Sequence, residues 1–213
     1  MKRAVIWLGL TVLLAAPAAA QWLGEPVWNS PKGGTGLTIS GDYAHPDSAY
    51  GKGNTWGGRA SLGLSTITLT AGIASWKRNG ATQSVTSVGG NVAFRLIGGS
   101  LLPFGVNMQL GGAGTTSTPK ATTLIGAVGF SVPLPTPGLS IEPYFSPGVR
   151  YRNSGGGTNT TNFGYVFGAN LGFGLLGVHL AYDHEHRSSG TTAASGNVFG
   201  VGAHLGFHLP LGM

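Results

Sequence analysis

Between Gly36 and Tyr43 the chain reads GLTISGDY, and no other feature constrains the fold as strongly as this alternation. Leu37, Ile39 and Tyr43 fall on one face and Thr38, Ser40 and Asp42 on the other, a period of two that belongs to a strand. The pattern returns along the chain and predicts ten strands, at about 35–44, 55–64, 67–76, 85–97, 102–112, 121–132, 139–152, 162–173, 176–186 and 196–209. Short turns near Ser65, Gly99, Pro135 and Leu175 alternate with longer polar loops at 45–54, 77–84, 113–120, 153–161 and 187–195.

The two faces differ in an unusual way. One carries Leu62, Leu64, Ile67, Leu69, Val88, Val92, Leu96 and Leu110, and the other is mostly Gly, Ser, Thr, Asn and Ala. A soluble sheet hides the first face and covers the second with Lys and Glu. That covering is missing, because only 8% of the residues are charged while 41% are hydrophobic and 39 are Gly. A barrel in lipid reverses the arrangement, with apolar side chains outside and small polar ones in the lumen. The fold class is therefore all-β: a closed antiparallel up-and-down transmembrane β-barrel of ten strands, with eight or twelve left open by uncertain strand limits.

Aromatic residues sort by strand end into two girdles. Tyr43, Trp56, Tyr151, Tyr165 and Tyr182 lie toward the long loops, and Phe94, Phe104, Phe130, Phe173 and Phe207 toward the short turns. Trp76 also lies toward the long loops but has the wrong parity for the outer face, which predicts a bulge or a shifted register there.

The first residues, MKRAVIWLGLTVLLAAPAAAQ, place Lys2 and Arg3 before an apolar run and small residues before Gln21, the pattern of a cleaved secretory signal over 1–20. An uncleaved anchor helix would need about 20 continuous apolar residues, and Pro17 interrupts the run. Residues 21–33 are expected to form a periplasmic N-terminal segment, with the barrel over 34–213. With no Cys in the chain, disulfides, thiolate metal sites and thiol nucleophiles are excluded.

At this point the chain resembles the small bacterial outer-membrane β-barrels of the OmpA and OmpX type in the broad sense. HLGFHLPL, from His204 to Leu211, is similar to the assembly signal of such proteins, although the chain ends at Met213 instead of an aromatic residue. The resemblance implies a bacterial outer-membrane location, folding by the barrel-assembly machinery, and contact with outer-membrane lipids including lipopolysaccharide. It also implies that cations near the long loops, Lys52, Lys77, Arg78, Lys120, Arg152 and Arg187, meet lipopolysaccharide phosphates.

Inward parity holds Asp42, Arg59, Arg95, Glu142, Tyr144, Arg150, Arg152, His179, Asp183 and Glu185. Charges in a low-dielectric wall need partners, so Asp42 is expected to pair with Arg59, and Glu142 to reach Arg95 or Tyr144. One reading is a satisfied network that closes the lumen. The other is a narrow passive pore with a weak anion bias, in which the many inward Gly leave space for water.

The stretch HLAYDHEHRSSG, His179 to Gly190, splits by parity into inward His179, Asp183, Glu185 and Arg187 and outward Tyr182, His184, His186 and Ser188. His184 and His186 are candidate metal ligands, but no third ligand is evident. His186-Arg187-Ser188 resembles the first three positions of the His-x-Ser-Asn motif of outer-membrane lipid A deacylases, which would make His186 and Ser188 catalytic. It departs at Ser189, where Asn is expected, and lacks a following acidic residue to orient the His. No sequence pattern calls for a cofactor, and no basic stripe interleaved with aromatics points to nucleic acid. The expected role is therefore structural or surface-interactive, with the pore and then the hydrolase as alternatives; oligomeric state is left open.

Overall fold

The computed structural model describes residues 22–98, 102–117, 120–154, 159–187 and 195–207. Its strands are β1 (Gly34–Pro46), β2 (Asn54–Ser65), β3 (Ile67–Lys77), β4 (Val85–Ile97), β5 (Gly105–Thr115), β6 (Thr122–Ser131), a short β7 (Leu134–Thr136), β8 (Leu139–Asn153), β9 (Asn159–Phe173), β10 (Leu176–His186) and β11 (Gly196–Phe207). Consecutive long strands pair antiparallel, β6 pairs with β8, and β1 pairs with β11, which closes a barrel of ten long strands. The short β7 follows β6 and pairs only with the start of β8. Eight and twelve strands are thereby excluded.

Closure pairs each of the ten long strands on both sides, the condition for a strand structure to cross hydrocarbon. The tight ends follow from local chemistry. Phe173 pairs with Leu176 across a two-residue connection, and Gly174 takes φ 59°, a left-handed conformation that suits a hairpin turn. In β4 the register slips between Arg95 and Ile97, a bulge at the turn end of the strand.

The outward face is apolar over the strand length, with Ile39, Ile73, Leu110, Val149, Phe167 and Leu180 all exposed. Exposed to water, such a belt would cost roughly 25 cal/mol per Å² of apolar surface. In lipid that cost vanishes. The Tyr, Trp and Phe residues named for the two girdles lie on this same outer face, none of them buried, and Tyr43 packs on Trp56 with centroids 4.7 Å apart.

Two expectations are corrected. Trp76 pairs in regular register, opposite Thr55 on β2 and Val85 on β4, and points into the barrel, where it is 3% exposed. No bulge is needed, because parity governs it correctly and its place is the lumen. The second correction concerns residues 22–33. They do not form a periplasmic segment but run up the inside of the barrel from Gly34, with Trp22, Glu25, Val27, Trp28 and Asn29 buried. Residues 1–21, and with them the expected signal peptide, lie outside the described residues.

Candidate functional site

The lumen is built in three layers, beginning at the long-loop end. Arg150 on β8 meets Asp183 on β10 at 2.6 Å and Glu185 at 3.3 Å. Arg152 donates from Nε to Glu185 Oε1 at 2.9 Å, and Asn162 on β9 donates to the same carboxylate at 2.6 Å. The first long loop forms a single 3₁₀ turn, Ser48–Tyr50, whose N-terminus is capped by the Asp47 carboxylate. From it the Tyr50 hydroxyl donates to Glu185 at 2.8 Å, with Arg187 over its ring at 4.5 Å. Burial holds the Tyr50 hydroxyl above the ordinary tyrosine range, so it remains a proton donor. This is a lid on an ionic floor.

The middle layer joins four strands to the inner segment. Arg59 donates from Nε to Asp42 at 2.9 Å, and His179 Nε2 lies 2.6 Å from the other Asp42 oxygen. His179 Nε2 also lies 3.0 Å from Arg59 Nη2, and its Nδ1 lies 3.2 Å from His204 Nδ1, so the two imidazoles are coupled. Trp28 packs edge-on against His179 at 4.6 Å and under the Arg59 guanidinium at 5.0 Å.

Residues 22–33 plug what would otherwise be open space. The Leu23 N–H donates to Ser87 Oγ at 3.0 Å, and the Val27 N–H donates to Asp183 Oδ2 at 3.0 Å. Asn29 exchanges hydrogen bonds with Asn107 and also donates to Ser146. Near the turn end the Lys32 N–H and the Ser30 hydroxyl donate to the two Glu142 oxygens, at 2.7 and 2.9 Å. Arg95 donates to the Lys32 carbonyl at 3.1 Å.

The wall is cut to fit the plug. A Cβ on Gly57 would come within 2.6 Å of Glu25 Oε1, one on Gly200 within 2.8 Å of Pro26 Cγ, and one on Gly129 would run into the Asn29 amide. The inward glycines expected to leave water-filled space face the plug at these positions. Toward the turn end a vestibule of about 1050 Å³ is lined by Ser61, Thr70, Asn91, Gln109, Asn170 and His204 together with apolar residues such as Leu139 and Leu176.

Asp42 and Arg59 thus face each other across the first hairpin, and Arg150, Arg152, Asp183 and Glu185 come together at the loop end. Glu142 does not reach Arg95 or Tyr144: it binds Ser30, Lys32, Ser131 and Asn170, because the plug brings donors closer than either expected partner. Tyr144 is buried in the lumen against Gly168. The residues missed by sequence reasoning, Glu25, Trp28, Asn29, Tyr50, Asn162 and His204, sit in an aperiodic segment, in a loop, or at positions whose parity alone gives no partner.

On the outer face His184 stacks on Tyr165 at 4.9 Å, and its Nδ1 lies 2.7 Å from Asn197 Oδ1, which also accepts from the Tyr182 hydroxyl at 2.8 Å. His186 is exposed, and Ser188 lies outside the described residues. Among the described residues no cluster of three His, Asp or Glu side chains is placed to hold a metal ion.

A closed antiparallel barrel with an apolar exterior, aromatic girdles and a polar packed interior is an outer-membrane β-barrel. No protein-family model matches the chain, and no curated protein is similar to it in sequence. Among solved structures, Neisserial surface protein A is 12% identical, with 81% of this chain and 98% of that chain covered, at a TM-score of 0.40. The N-terminal β-barrel domain of Pseudomonas aeruginosa OprF is 8% identical, with 82% and 99% covered, at 0.39. The outer membrane protease OmpT from Escherichia coli is 7% identical, with 81% and 94% covered, at 0.41. These likenesses concern the fold alone.

Proposed function

We propose that the chain is a bacterial outer-membrane barrel whose lumen is shut and whose role is structural or interactive at the cell surface. The observation that carries this reading is the plug: residues 22–33 occupy the lumen between the ionic floor at the loop end and the vestibule at the turn end. A passive pore needs a continuous aqueous path, and the plug, with Tyr50 and the paired Arg150, Arg152, Asp183 and Glu185 above it, opposes one.

In this reading a leader over residues 1–20 directs export, and the barrel-assembly machinery inserts the chain with its long loops outside. Lys52, Lys77 and Arg78, all exposed at the loop end, then meet lipopolysaccharide phosphates, while Arg152 is turned into the lumen by Glu185. Planar-bilayer recording of the unmodified chain tests the proposal. The expected record shows no conductance steps above leak; regular steps from the unmodified protein would contradict it.

A further inference from the structure

The plug and the wall are joined in a way that makes them separable. The wall is complete without the plug, since the ten long strands pair around the full circle and β1 meets β11 directly. Residues 22–33 form no strand. Their backbone–backbone hydrogen bonds, Glu25 N–H to Trp22 carbonyl and Gly33 N–H to Ser30 carbonyl, are internal to the segment, and among the described residues none joins it to the wall. What ties the segment in place is side-chain chemistry: Ser87, Asp183, Asn107, Ser146 and Glu142 on the wall, and the clamp of Arg59 and His179 on Trp28.

The space the plug fills is continuous with the vestibule. Trp28, Asn29, Ser30 and Lys32 line that cavity. Above them Trp22 and Glu25 lie against Gly72 and Gly57, on the β2–β3 side of the barrel. The paired charges of the loop end come from β8 and β10, across the lumen. The wall beside the upper segment is lined by small residues, Gly57, Gly72, Ala74 and Ser87, with Trp76 toward the loop end, and the Arg150–Asp183 pair is made by β8 and β10 alone.

From this we infer a further activity: the barrel is a latent pore for small hydrophilic solutes, held shut by its own N-terminal segment and opened when that segment leaves the lumen. The inference goes beyond the closed-barrel reading, which concerns the resting state alone. Opening breaks hydrogen bonds of Val27, Asn29 and Lys32 that water replaces, and leaves every strand pair in place.

The experiment uses the unmodified chain in planar bilayers, with urea raised stepwise and the folded state followed by the gel shift between heated and unheated samples. Anchors made of single side-chain hydrogen bonds are expected to release before a closed wall of backbone pairs. The expected result is silence without urea, then uniform and reversible steps at urea concentrations where the folded band is intact. A full-length variant with Trp28→Ala and Asn29→Ala is expected to open at lower urea than the unmodified chain. Absence of steps up to the urea concentration that unfolds the wall, or steps that appear only as the folded band is lost, overturns the inference. Steps without urea would instead overturn the closed resting state.

Discussion

The backbone N–H of Val27 donates to the carboxylate of Asp183, 156 positions away in the chain and 3.0 Å away in space. The same carboxylate holds Arg150 at 2.6 Å, so one buried side chain ties the plug to the ionic floor. Asp183→Asn keeps an oxygen for Val27 but removes the charge that faces Arg150. Breaking a buried pair from one side costs about 3–5 kcal/mol, and Glu185 as a second partner puts this case near the lower end. The expected drop in the urea midpoint of tryptophan fluorescence in detergent should be partly recovered by adding Arg150→Met.

The wall glycines distinguish a filled lumen from an empty one. Gly200→Leu places a side chain where Pro26 and Trp28 sit, and overpacking of this kind costs about 1–3 kcal/mol. Gly41→Ala meets nothing within 4 Å and is expected to be neutral. Thermal loss of the compact gel band measures both, and equal behaviour of the two variants would mean that the plug does not occupy that space.

The exterior makes the opposite demand. Leu180, midway along β10, points outward, and its neighbour Ala181 is fully buried. Leu180→Arg puts a charge at the hydrocarbon midplane, at a cost of about 2–4 kcal/mol. Refolding yield into lipid vesicles is expected to fall, with a lower urea midpoint for the fraction that inserts. An unchanged midpoint would contradict a lipid-facing surface there.

Tyr50 supplies a pH dependence whose direction is fixed. Burial raises its hydroxyl above the ordinary value of about 10, so the folded chain holds this proton more tightly than the unfolded chain. Its contribution is complete below that ordinary value and is lost as pH rises above it. Between pH 8 and pH 11 the unmodified barrel is expected to lose more stability, by thermal midpoint, than Tyr50→Phe. A decline of the same size in the variant would show that Tyr50 has no part in it.

The legible part of the fold was the part with a period. Ile39, Leu110 and Leu180 announce an outer face because lipid selects apolar residues at every second position, and the same parity put Asp42, Arg59, Arg150 and Glu185 inside. At Trp76 the parity is right and the expected bulge is not, because a loop-end aromatic need not belong to the girdle. The plug was illegible because residues 22–33 have no repeat. Their partners are side chains far away in sequence, such as Asp183 for Val27 and Glu142 for Lys32. Inward glycine alone does not distinguish water from a packed segment; contact between Gly200 and Pro26 does.

The central claim is that residues 22–33 lie inside the folded barrel, and a chain with no Cys allows a direct measurement. Val27→Cys introduces one thiol at a position 6% exposed, and Lys77→Cys introduces one on the exposed outer rim. With a membrane-impermeant maleimide applied to both sides of the folded barrel in vesicles, Lys77→Cys is expected to label at once, and Val27→Cys only after urea releases the segment. Labelling of Val27→Cys in the folded barrel as fast as in the unfolded chain would contradict the account.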